Sequence, residues 1–110
     1  MNTKTELLSP FDRARARRLD ARRSRLGPQV DAALRALVAM GVKARLVGSW
    51  AEGRMGEHSD IDFLVEDRCG ASMAQVYDAI ASQLRDAPFD VMYWDSLSHT
   101  GREIMRQTHG

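Results

Sequence analysis

The stretch Ser59-Asp60-Ile61-Asp62-Phe63-Leu64-Val65 constrains this chain most. Residues 61–65, IDFLV, have the composition of a short buried strand. Side chains two apart on a strand share a face. Asp60 and Asp62 therefore project to one side, while Ile61 points to the other and anchors the strand. Upstream, VKARLV (42–47) alternates apolar and polar residues and reads as another strand. The segment between them opens with Gly48-Ser49, which starts a short turn or helix, and contains Gly53, which frees the chain to fold back. Any fold built on this piece contains a small sheet with two carboxylates at the end of a glycine-rich connection.

The flanking patterns add helices and a third strand. Residues 11–26 form an arginine- and alanine-rich helical stretch that starts near Ser9-Pro10, with Phe11, Leu19 and Leu26 on one stripe. Gly27-Pro28 is expected to break or kink it. Val30, Ala33, Leu34, Leu37 and Val38 then recur at helical spacing, with Gly41 as the C-terminal cap. Residues 72–86 form a helix capped by Ser72, with Met73, Val76, Tyr77, Ile80 and Leu84 facing inward. FDVMYW (89–94) is the third strand, and the tail from 99 to 108 is weakly helical, with Ile104 and Met105 to pack. The order implies an α/β or α+β domain, a small mixed sheet of three to four strands flanked by helices. The expected division is a basic helical arm over 1–28 and the domain proper over 29–110.

Charge is distributed unevenly. Residues 1–25 hold eight basic side chains, Lys4 and seven arginines, against Glu6, Asp12 and Asp20. The other 85 residues hold eight basic and twelve acidic ones, so a net +1 conceals a basic segment on a mildly acidic body. Three readings of that segment stand: a solvated face against the acidic body, a docking surface for a partner or a second copy of the chain, or nucleic-acid contact. A single cysteine, Cys69, excludes an intrachain disulfide and a cysteine zinc cluster. No apolar run reaches the length of a membrane helix and no signal-peptide pattern is present, so a cytoplasmic location is expected.

The carboxylates carry the chemistry. Two on one face repel, and a hard cation relieves that repulsion. Mg²⁺ suits the pattern, because it binds through one or two carboxylates together with substrate phosphates. Asp90 opens the third strand; if that strand pairs beside 61–65, it joins Asp60 and Asp62 as a third ligand or as a proton acceptor. Gly48 lets the backbone approach a phosphate, Ser49 adds a hydroxyl and Gly53 helps the chain fold back. A nucleoside triphosphate with Mg²⁺ spans both halves of this arrangement.

With these residues in view, the chain resembles the minimal nucleotidyltransferases of the polymerase-β superfamily, the MNT-type proteins. Their pattern is Gly-Ser, ten residues, Asp-x-Asp and a later Asp, matched here by Gly48, Ser49, Asp60, Asp62 and Asp90. Ala51, Gly53 and Ser59 match its fuller form, and the resemblance covers roughly 29–107. It implies a Mg²⁺-dependent enzyme that uses ATP, with Asp60, Asp62 and Asp90 as metal and catalytic residues and Gly48, Ser49, Gly53 and Ser59 around the nucleotide. It further implies an antitoxin that transfers AMP to a hydroxyl of a helical HEPN-type toxin. The alternatives are an antitoxin that acts by occlusion without catalysis, and a nucleic-acid-binding protein that uses the arginine-rich arm. Glu52 departs from the pattern, since members of the family often carry a basic residue there.

Other polar residues have plainer readings. His58, His99 and His109 are loop or tail residues, Trp50, Tyr93 and Trp94 are packing residues, and Glu57, Glu66 and Asp67 are solvated charges.

Overall fold

The computed structural model describes residues 9–109. Lys4 and Glu6 of the basic segment and the side chain of His109 lie outside the described residues. The chain opens with α1, Pro10–Ala39. The Ser9 hydroxyl accepts from the Asp12 amide at 3.1 Å and donates to the Asp12 carboxylate at 2.9 Å, and Pro10 occupies the first turn.

Here the structure corrects the expected break at Gly27-Pro28: α1 runs through it, and so across the boundary expected at residue 28. Pro28 cannot donate to the Ser24 carbonyl one turn back. Ser24 and Pro28 both lie on the exposed side, so water can satisfy that carbonyl. Leu26 and Val30, each at most 1% exposed, anchor the helix on either side. At its end Gly41 adopts φ +77°. Its amide bonds to the Val38 carbonyl and the Val42 amide to that of Leu37, the paired bonds that close a helix with a left-handed residue.

Strand β1 is Lys43–Val47, and it leads directly into α2, the single turn Gly48–Ala51. After the loop come β2, Ile61–Asp67, then α3, Met73–Gln83, and β3, Phe89–Tyr93. Ser72 caps α3 in a reciprocal box with Gln75. Trp94–Ser96 turns as a short 3₁₀ segment, where an extended residue 94 was expected, and α4 is His99–His109. The sheet order is β1-β2-β3. β1 runs antiparallel to β2, and β3 runs parallel to β2. This is the expected mixed α+β architecture with an arginine-rich N-terminal helix.

The core lies between one sheet face and the helices α1 and α3. Ile61, Phe63 and Val65 pack with Leu26, Val30, Ala33 and Leu37 of α1, and with Val76 and Ile80 of α3 and Leu84 just beyond it. Phe89, Val91 and Tyr93 border it from β3. Alternation therefore turns the other set, Asp62, Leu64, Asp90 and Met92, to the opposite face. The expected apolar stripes were too wide. Val38 is 73% exposed and Tyr77 51% exposed, with Met73 and Ile104 also exposed. Tyr77 instead lies over the edge of the core, its ring 5.0 Å from that of Phe89.

Candidate active site

The parallel pairing of β2 with β3 sets Asp62 directly opposite Asp90. On the other side of β2, Val47 pairs with Asp62, so the chain enters the Gly48-Ser49 bend beside that same residue. Gly48 has φ +74°, which disfavours any side chain. A Cβ there would stand 2.3 Å from Oδ2 of Asp62. The glycine thus serves the turn and also leaves room for the carboxylate.

The Asp62 carboxyl is pushed above its ordinary range, first by burial, then by Asp90 and then by Asp60. All three expected carboxylates are thus felt at one point, although they contribute differently. Asp62 is half-buried, whereas Asp60 and Asp90 are exposed at the strand entrances. Among the described residues no group of three or more His, Cys, Asp and Glu side chains is placed to hold a metal ion, the expected set Asp60, Asp62 and Asp90 included. The carboxylates form an open rim.

The nucleotide-side residues separate into two kinds. Gly48 and Ser49 begin α2, whose N-terminus receives no side-chain cap. Gly53, with φ +72°, follows the end of α2, and a Cβ there would meet nothing within 4 Å. It shapes the chain reversal without touching the carboxylates. The Ser59 hydroxyl accepts from the Gly56 amide at 2.7 Å, so it is engaged within the loop. Glu52 pairs with Arg54, which places a basic group beside the acidic departure from the expected pattern.

The basic helix lies partly against the acidic body, one of the three readings above, and its contacts fall on the connection into β2. Arg18 is ion-paired with Glu57, which was read above as a solvated charge, and holds its carboxyl below the ordinary range. Nη2 of Arg22 donates to the Ser59 carbonyl at 2.9 Å. The Arg23 guanidinium lies 4.9 Å from the centre of the Trp50 ring, and Trp50 itself is buried in the core. The signal was present in the spacing. Arg18 and Arg22 precede Leu26 and Val30 at intervals of four, on the stripe that enters the core.

A hollow of about 290 Å³ lies elsewhere, lined by Arg45, Glu66, Trp94 and Arg106. None of the expected site residues lines it, and the strand register is the stronger guide to the chemistry. No described helix is long and apolar enough to cross a membrane.

A family model described as nucleotidyltransferase domain matches residues 29–103, which include Gly48, Ser49, Asp60, Asp62 and Asp90 but begin after Arg18, Arg22 and Arg23 of α1. No curated protein and no solved structure matches the chain.

Proposed function

The chain belongs to the nucleotidyltransferase domain family, and from that premise we propose that it transfers AMP from ATP to a hydroxyl of a partner protein. The observation that carries this reading is the meeting of Gly48 with the Asp62 carboxylate, itself opposite Asp90. A bend suited to phosphate and a set of carboxylates suited to a cation share one place.

The donors fit a hard divalent cation. They are carboxylate oxygens only, they repel one another, and they leave an open rim for phosphate oxygens to complete. Asp60 and Asp62 would hold the cation, with Asp90 beside them. When bound, Mg²⁺ neutralises charge on the triphosphate and on the departing pyrophosphate. The chain's own groups do the rest. Amides at the start of α2 and the Ser49 hydroxyl orient the triphosphate. The acceptor oxygen attacks the α-phosphorus, forming a new P–O bond as the bond to the β-phosphate oxygen breaks. Asp90 accepts the proton from the acceptor hydroxyl, and pyrophosphate leaves.

The openness of the rim supports a macromolecular acceptor, whose own surface would close the site. A HEPN-type helical toxin is the proposed partner, which makes this chain an antitoxin that acts in the cytoplasm. The test uses ATP labelled at the α-phosphate with the product of the adjacent gene. Label is expected on the partner with Mg²⁺ present, reduced about 10²–10³-fold or more by Asp60→Ala with Asp62→Ala. Absence of label from the wild-type reaction overturns transfer. Neutralisation of the partner that survives the double substitution assigns the occlusion reading instead.

A further inference from the structure

Three arginines of α1 make contacts with the connection that leads into β2, two of them exposed and Arg22 half-buried. Their placement assigns a task that none of the readings of a basic arm supplies. Arg22 is the central one. The carbonyl it holds belongs to the peptide between Ser59 and Asp60. The next peptide is held from the other side, because the Ile61 amide donates to the Pro88 carbonyl at 3.1 Å. Asp60 is thus suspended between two fastened peptide planes. One is set by the sheet and one by Arg22, and together they restrict the two backbone angles of Asp60.

Two neighbours of Arg22 limit the segment further. Arg18 holds Glu57 two residues upstream of Ser59. Arg23 lies over Trp50 at the other end of the connection. Nη1 of Arg22 is buried and has no hydrogen-bond partner among the described residues. A buried unpaired donor is a cost that an apolar residue at this position would avoid. A guanidinium kept here despite that cost is consistent with a geometric task.

We propose that Arg22 is a positioning residue, which sets the direction of Asp60, and through it the entry to Asp62, by gripping the Ser59 carbonyl. The inference rests on the carboxylates being the cation and nucleotide site proposed above. Arg22 lies outside the stretch matched by the family model, so this task belongs to the chain's own N-terminal helix. The fork of a guanidinium also makes lysine a poor substitute, since a single ammonium on a different stem does not reproduce the bond.

The experiment compares full-length wild type with Arg22→Ala, Arg22→Lys and, as a control for general loosening, Leu26→Ala one turn along. Two quantities are read: amide hydrogen exchange over residues 52–61, and Mg²⁺-dependent ATP binding by calorimetry. Arg22→Ala is expected to speed exchange across 52–61 and to weaken Mg²⁺-dependent binding about ten- to a hundredfold. Arg22→Lys should fail to restore binding, and added guanidinium ion should recover part of it in Arg22→Ala alone. Binding that keeps its wild-type Mg²⁺ dependence in Arg22→Ala overturns the proposal. So does a loss no larger than that in Leu26→Ala, without guanidinium recovery. If wild type itself binds no Mg²⁺-ATP, the functional reading fails separately. Exchange over 52–61 then decides alone whether Arg22 holds the segment, and unchanged exchange in Arg22→Ala refutes it.

Discussion

The two halves of α1 lie on one continuous helix and hold the molecule together by different means. From Leu26 onward the inward stripe is apolar: Leu26, Val30, Ala33 and Leu37 are all buried in the core. Before Leu26 the same stripe carries Arg18 and Arg22, whose contacts are an ion pair and a bond to a backbone carbonyl. Apolar contact is strong and tolerant of direction. A charge-assisted hydrogen bond is weaker in net stability but demands one geometry. The C-terminal half therefore serves stability, and the N-terminal half serves the placement of the connection into β2. A basic helix that looks in sequence like a free arm is partly a clamp.

The contrast can be broken at its strong end first. Leu37→Ala should lower the free energy of unfolding by about 2–5 kcal/mol in urea titration. Arg17→Ala, exposed in the other half, should stay within about 0.5 kcal/mol. Equal losses would erase the distinction. The junction gives the next effect. Pro28→Ala restores a donor to the helix interior and should raise stability by about 1–3 kcal/mol in the same titration. A loss would mean that the proline ring serves the packing between the halves.

The smallest effect belongs to Arg18→Ala, because the ion pair with Glu57 is solvent-exposed and screened by salt. Its pH dependence sharpens the comparison. The hydrogen bond from Arg18 holds the folded-state Glu57 carboxyl below its ordinary value of 4.5. As pH falls, the unfolded chain binds this proton before the folded one does. The contribution is therefore complete above 4.5 and is lost as pH falls through the lowered folded value. The stability difference between wild type and Arg18→Ala should shrink over that window and also with added salt. A difference that persists in acid would assign it to packing of the arginine stem instead.

Much of the fold was legible because its signals are local. Alternation in 61–65 placed Asp62 away from Ile61 and Phe63. Gly41 marked the end of a helix and Ser72 the start of another. The stripes on α1 and α3 were legible only in part. Helical spacing tells which residues share a side but not how much of that side a neighbour covers, so Val38 and Tyr77 emerged exposed. The break at Pro28 failed for a related reason. The local penalty was read correctly, but the apolar anchors on either side outweigh it. In the candidate site, the residue types and their spacing were visible, whereas the engagement of Ser59 by Gly56 and Arg22 was not. The first is set by the path of the loop, and the second depends on how a helix lies over that loop.

The sequence by itself determined a chain with two strands around a glycine-rich turn and two carboxylates on one side of the second, because the strand repeat of two acts between immediate neighbours. Only the tertiary structure decided that Asp90 lies opposite Asp62, that Gly48 abuts its carboxylate, and that Arg22 grips the peptide before Asp60. Those relations span up to 37 residues along the chain. They arise from sheet register and helix docking, which the packing of the whole core selects.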